Sequence, residues 1–251
     1  MTNENTDKTV IVTGGASGLG RYIVEYYLSQ GAKVASFDLT PEPLAELALE
    51  NANLLSLRCN ITDNEELAQC FEAVESKWTF ANVLINNAGI IHSEPLFSFL
   101  KPGNKRHNLE HWKKVLDINL TAAFCCAGYF AEQLAMQRKP GVIINISSVS
   151  AKGTAGQSAY GASKAGLNAL TKIWANELGV LGIRVCSISP GYIDSDAMHA
   201  AVPKQIQQEI VNRTALRKLG TKSDVLQAIE LVINNPFMTG NIVDVDGGYS
   251  C

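Results

Sequence analysis

No stretch of this chain offers the ~18 uninterrupted apolar residues that a membrane-crossing helix requires. The opening residues, MTNENTDKT, are polar and acidic and lack the apolar core of a secretory leader. Both absences predict a cytoplasmic protein with no membrane partner. A basic surplus is missing too, since 24 Asp and Glu face 21 Lys and Arg for a formal net charge of -3. Nucleic acid and anionic lipid surfaces are therefore not expected partners. The six cysteines, at 59, 70, 125, 126, 186 and 251, include no C-x-x-C pair and no metal-ligand spacing. A disulfide framework and a structural zinc are not expected on that ground, and buried free thiols are. No cluster of His, Cys and carboxylate stands out, so no metal is expected. Internal repeats and low-complexity segments are also absent.

What the chain does have is length and alternation. Its 251 residues, 46% of them apolar, suffice for one large core, and a single domain over residues 1–251 is the expected organisation. Residues 8–13 (KTVIVT) form a β-branched run that enters Gly14-Gly15-Ala16-Ser17-Gly18-Leu19-Gly20. Beyond it, Ile23, Val24, Tyr27 and Leu28 recur at helical spacing until Gly31. A strand, a glycine loop and a helix in that order let backbone approach a pyrophosphate at the positive end of the helix dipole. The next strand, KVASFD, ends at Asp38. A carboxylate there can accept from both ribose hydroxyls and repels a 2′-phosphate, which favours NAD over NADP. The competing role for Asp38 is a turn or cap residue before Pro41.

Strand and helix patterns then alternate: a helix over 44–50, a strand over 54–57, a helix over 65–78 and a strand over 83–85. This last strand ends in Asn86-Asn87-Ala88-Gly89, where small residues and amides suit a backbone passing close to a ligand. Further strands are expected at 142–146, 183–188 and 241–245. The alternation predicts an α/β fold of the Rossmann type, with seven parallel strands doubly wound and helices on both faces.

The densest chemistry lies in residues 142–165, VIINISSVSAKGTAGQSAYGASKA, read as strand, loop and helix. Tyr160 and Lys164 stand four apart, so phenol and ammonium share one helix face. A nearby cation favours the phenolate and brings a group of ordinary pKa ~10 towards neutrality. Tyr160 is thereby a candidate general acid/base, and a hydroxyl from Ser147 or Ser148 could bond the same reacting oxygen.

The chain resembles the short-chain dehydrogenase/reductase family from about Lys8 to Ser250. The resemblance is carried by TGGASGLG at 13–20, NNAG at 86–89, DINL at 117–120, ISS at 146–148, YGASK at 160–164, PGYI at 190–193 and VDGG at 245–248. It implies an NAD-dependent oxidoreductase of a small secondary alcohol or ketone, with 3-hydroxyacyl, steroid and sugar-derived alcohols as candidate substrates. A non-catalytic, cofactor-binding member of the same fold is the alternative. By resemblance, Tyr160 is the acid/base, and Lys164 lowers its pKa and holds the nicotinamide ribose. Ser148 would polarise the substrate oxygen, and Asn119 would kink its helix and hold a relay water. The resemblance also assigns Gly14, Ser17, Gly18, Leu19 and Gly20 to the pyrophosphate, and Asn60 and Ile61 to the adenine. Asn87, Ala88 and Gly89 would border the ribose, and Pro190, Gly191, Ile193 and Ser195 the nicotinamide end. A homotetramer is implied, with the Tyr160 helix and its predecessor at one interface.

Three departures from the family pattern matter. The loop between Ser148 and Tyr160 is one residue short, or Ser147 is the active serine; ungapped alignment of the strand favours Ser148. Asn60 and Ser195 replace a frequent Asp and Thr. Residues 90–116 are longer than usual and carry Lys101, Lys105, Arg106 and His107. These cations either hold an acidic handle, such as a phosphate or a coenzyme A thioester, or decorate a solvated loop. Residues 190–216 are expected to form a substrate lid. Tyr192, Met198, His199, His92 and Phe97 are candidate pocket residues, each equally suited to ordinary packing. The stripe Leu167, Leu170, Trp174 and Leu178 is either core or subunit contact.

Overall fold

The structure, a computed structural model, describes residues 7–250, exclusive of the side chains at 196, 197 and 201. Cys251 and the first six residues, on which part of the leader reading rests, lie outside the described residues.

β1 (Thr9–Thr13) is buried along its whole length, as expected of a strand covered on both faces. It is followed by α1 (Gly18–Ser29), β2 (Lys33–Asp38), α2 (Ala45–Glu50), β3 (Leu54–Arg58), α3 (Asn64–Trp78) and β4 (Val83–Asn86). α4 (Leu109–Leu116) runs through a π-helical turn at Asp117–Thr121 into α5 (Ala122–Gln137). Then come β5 (Gly141–Ile146), α6 (Ser158–Leu178), β6 (Ile183–Pro190), α7 (Asp196–Ala201), α8 (Lys204–Arg213), α9 (Lys222–Asn234) and β7 (Ile242–Val245). The strands form one seven-stranded sheet in the order β3-β2-β1-β4-β5-β6-β7, every neighbouring pair parallel.

The period of two along each strand divides the core. Val10 and Val12 of β1 pack with Ile23, Val24 and Tyr27 of α1 and with Val225, Ile229 and Val232 of α9. Ile11, between them, faces the other way, towards Leu67 and Phe71 of α3, Phe130 of α5 and Trp174 of α6. The stripe Leu167, Leu170, Trp174 and Leu178 resolves as core: Leu167 and Trp174 are buried, and Leu170 and Leu178 pack against this second cluster.

After β1 the chain builds outward to β3, then crosses back to β4 on the other side of β1. The crevice at the carboxyl ends of β1 and β4 is thus the topological switch point, where open α/β sheets take their ligands. The long 90–108 connection leads from this crevice and is tied down by two bridges, Glu94 with Gln157 and Phe97 with Arg106. Over residues 190–216, Met198 and Ile210 form a small third cluster with Val149 and Tyr249.

Candidate active site

At the end of β1 the backbone turns sharply. Gly14 has φ +65°, and a Cβ there would lie 2.9 Å from the Ala88 Cα. A Cβ on Gly20 would meet the Gly14 carbonyl oxygen at 2.0 Å, so the first turn of α1 fits against the loop only because Gly20 has no side chain. Asn87 seals this junction: its Nδ2 donates to the carbonyls of Thr13 (3.0 Å) and Gly14 (3.1 Å). The amides of Asn87 and Ala88 both donate to Thr13 Oγ1. Ser17 leaves the N-terminus of α1 without a side-chain cap, and nothing lies within 4 Å of where a Gly18 Cβ would stand. Open flank, glycine backbone and an uncapped helix start fit the pyrophosphate of a dinucleotide.

Asp38 stands beside this loop. Its Oδ2 accepts from the Ala16 amide at 2.9 Å and its Oδ1 from the Thr40 amide at 3.0 Å. The turn role is thus met, and an ionised carboxylate, with about four lone-pair sites, keeps acceptor capacity beyond these two amides. Arg58, paired with Asp38 across the β2–β3 register, is held by Glu66 at 3.1 Å. The Asn60 side chain closes a local turn with Thr62, and Ile61 packs against the second core cluster.

β5 delivers Ser147 and Ser148 with opposite orientations. Ser147 Oγ donates to the Lys164 carbonyl at 3.3 Å, inside the protein. Ser148 instead lies beside the Tyr160 phenol, close enough to pull its pKa down, and accepts the Ser150 amide at 3.1 Å. Of the two serines, Ser148 is the one beside Tyr160. Lys164, 4% exposed, donates to the Ile146 carbonyl at 2.7 Å, and its Nζ lies 5.8 Å from the Tyr160 ring centre. A Cβ on Gly89 would sit 3.5 Å from that Nζ and 3.2 Å from Asn119 Oδ1. The loop after β4 and the catalytic candidates thus share one crevice.

Packing bears on two of these residues. The Tyr160 pKa is raised in the free chain. Burial is the larger influence and pushes the phenol up, opposed by the Ser148 hydrogen bond. Lys164 is itself pushed down to about 8 by burial. Second, Asn119 lies in the expected kink, the π turn, but its amide is committed to protein: Oδ1 accepts from the Ile90 amide (2.8 Å), and Nδ2 donates to the Ile90 carbonyl (2.9 Å).

Residues 14–250 match the family described as enoyl-(acyl carrier protein) reductase. The chain is 32% identical to 3-oxoacyl-(acyl-carrier-protein) reductase of Thermotoga maritima, over 96% of its own length and 97% of the relative's. It is 31% identical to 3-hydroxyacyl-CoA dehydrogenase type-2 of Drosophila melanogaster, over 94% and 95% of the two chains. A short chain dehydrogenase from Bacillus anthracis superposes with a TM-score of 0.84 at 26% identity, covering 97% of each chain. The chain belongs to the short-chain dehydrogenase/reductase family. It is an oxidoreductase of the kind that acts on alcohol and ketone groups.

Within this family frame, the remaining candidates fall at the far side of the crevice. Pro190 ends β6, and the Gly191 amide donates to the Val245 carbonyl at 3.0 Å. Ile193 bridges Gly220, and Ser195 Oγ caps α7 by accepting the Met198 amide. Tyr192 helps wall an open cleft of about 180 Å³ with Thr154, Ala155, Ile206, Ile210 and Tyr249. Tyr160 is not among its walls. His199 pairs with Asp194 and Gln207, and Phe97 packs edge-on against Phe99.

The sequence reading missed two features. Asn86 does not face a ligand: its Nδ2 donates to Asn145 Oδ1 (2.9 Å) in a buried network under the site. The other is a cluster in the long 90–116 segment, where His92, His107, His111 and Lys101 surround Glu94. This corrects the expectation, drawn from spacing alone, that no His and carboxylate groups gather. Lys101 first, then His111 and His92, hold the Glu94 carboxyl well below the usual carboxylate range. Lys101 and His107 are turned inward to Glu94, while Lys105 and Arg106 are exposed and make local bonds to Phe99 and Asn104. H-x-E followed by H-x-x-x-H was the available signal.

Proposed function

We propose that this chain is an NAD-dependent dehydrogenase/reductase that interconverts a secondary alcohol and a ketone, with thioester-linked 3-hydroxyacyl and 3-oxoacyl groups as the leading substrates. One observation carries the reading: Ser148, Tyr160 and buried Lys164 gather at the sheet crevice beside the glycine loop. The substrate class is supported by relatives named for 3-oxoacyl and 3-hydroxyacyl chemistry. Steroid and sugar-derived alcohols are the other classes to test.

The bound nicotinamide supplies the hydride acceptor or donor. Tyr160 takes the alcohol proton during oxidation and returns it during reduction. Ser148 donates a hydrogen bond to the same oxygen, fixing it opposite the phenol. Lys164 lies deep enough to hold a ribose hydroxyl while its charge favours the phenolate. Asp38 accepts the adenosine ribose hydroxyls and disfavours a 2′-phosphate; Arg58, already engaged by Glu66, does not offset that repulsion. Gly14, Ser17, Gly18, Leu19 and Gly20 hold the pyrophosphate, and Asn60 and Ile61 flank the adenine. Asn87, Ala88 and Gly89 border the ribose, while Pro190, Gly191, Ile193 and Ser195 border the nicotinamide. Residues 1–251 act as one domain with 190–216 as the lid, in a cytoplasmic homotetramer.

The test is absorbance at the NADH band with a panel of 3-oxoacyl thioesters, steroids and sugar-derived ketones, using NADH and NADPH in parallel. Turnover with NADH that falls by roughly 10²–10⁴ in Tyr160→Phe is expected. A preference for NADPH would overturn the Asp38 argument. Tight NADH binding by calorimetry with no turnover across the panel would favour a non-catalytic member of the family.

A further inference from the structure

Three of the four histidines of this chain converge on one carboxylate. His92 Nε2 and His111 Nδ1 each lie 3.0 Å from Glu94 Oε2, and His107 Nε2 lies 3.8 Å from the same oxygen. The donor atoms of His92, Glu94 and His111 all fall within 4.8 Å of one another. Lys101 occupies the other carboxylate oxygen, Oε1, and leaves Oε2 to the imidazoles.

His107 makes this more than an ion cluster. Its Nδ1 lies 2.9 Å from the backbone carbonyl of Glu94, and a carbonyl only accepts, so Nδ1 carries the proton. In the neutral ring Nε2 is then a bare lone pair. That atom is buried and has no hydrogen-bond partner, in a side chain only 7% exposed. A lone pair facing a carboxylate oxygen is repulsive unless a cation lies between them. A proton on Nε2 would bring the two into hydrogen-bond contact, and 3.8 Å is too long for that. Imidazole fixed through Nδ1 to a carbonyl and presenting Nε2 is how metal-binding histidines are oriented.

We propose that His92 Nε2, His107 Nε2, His111 Nδ1 and Glu94 Oε2 form a binding site for a divalent transition metal ion of the zinc type. Three imidazoles and one carboxylate suit that ion, and its bonds of ~2.0–2.2 Å in a tetrahedron place neighbouring donor atoms ~3.3 Å apart. The observed separations from Oε2 bracket that value. With His107 Nε2, 3.8 Å from Oε2, drawn in as the fourth ligand, all four positions are taken by protein and the site is structural. The ion would fasten the long loop to α4, which leads into the Asn119 turn. Through the bridge of Glu94 to Gln157, it would also fasten that loop to the loop carrying Ser148. Gln157 accepts from Ser150 Oγ at 2.8 Å, and the Ser150 amide bonds Ser148 Oγ.

The test uses the full chain, stripped with a chelator and titrated with Zn²⁺ against a chromophoric competitor, with melting followed in parallel. One equivalent bound per chain is expected, raising Tm. Binding at least 10-fold weaker and no Tm rise are expected in His92→Gln and His111→Gln. Calorimetric binding of NADH shows that each variant is folded. The wild-type chain loaded with Co²⁺ should give the visible bands of four-coordinate nitrogen and oxygen ligation, without thiolate charge transfer; this readout needs no variant. Absence of saturable Zn²⁺ binding, a thiolate spectrum, or binding unchanged by both substitutions would each overturn the site. None of these readouts depends on turnover.

Discussion

Burial sets the charge of Lys164 before any ligand arrives. With its pKa pushed down to about 8 by desolvation, the native chain releases this proton well before the unfolded chain does, at ~10.4. Where the unfolded state binds the extra proton, stability rises with pH. Stability of the free chain minus that of Lys164→Met should therefore climb by up to ~1.4 kcal/mol per pH unit between about 8 and ~10. Urea unfolding at stepped pH checks this, and a flat difference would mean that Lys164 keeps its proton. Tyr160 acts with the opposite sign above ~10, because its raised pKa keeps the native phenol protonated while the unfolded one ionises. Tyr160 and Lys164 were legible as a pair because spacing along a helix is local. The direction of their shifts was not, since desolvation depends on β5 and β6 packing over α6.

At the scale of elements, the floor of the site is a polar seam inside an apolar core. Asn86 of β4 bonds Asn145 of β5, Asn145 Nδ2 donates to Thr171 Oγ1 of α6 at 2.9 Å, and Thr171 Oγ1 meets Ser187 Oγ of β6 at 2.7 Å. These bonds fix the register of strands whose apolar side chains alone would tolerate small shifts. Asn145→Leu removes one member and strands polar atoms on both sides, each costing about 1–3 kcal/mol. A loss of roughly 2–5 kcal/mol in urea unfolding with an unchanged m-value is expected. Loss near zero would mean that the seam is rebuilt through water. Strand positions here were readable from VLIN and VIINI, but the partners of the asparagines were not, because they lie 59 and 26 residues apart along the chain.

For the whole molecule, the proposed homotetramer has a physical requirement: closed dihedral assembly needs two different self-complementary faces. Large apolar side chains are exposed on α5 (Phe124, Met136), on α6 (Ile173) and on α9 (Leu231), and Phe237 is exposed just beyond α9. Light scattering after size exclusion should give a tetramer, and Phe124→Glu with Ile173→Glu should reduce it to dimers that still bind NADH. A monomeric wild-type chain would refute the assembly. The sequence by itself determined the strand–helix alternation, the glycine loop, the Tyr160–Lys164 pair and the family, because turn residues, periodicities and motif spacings act over a few residues. Tertiary structure alone decided that Ser148 and not Ser147 faces the phenol, and that Lys101 and His107 turn in to Glu94. It also decided that three histidines share one carboxylate. Such outcomes rest on which side chains lose water together, a property of the packed loops and layers that local spacing does not encode.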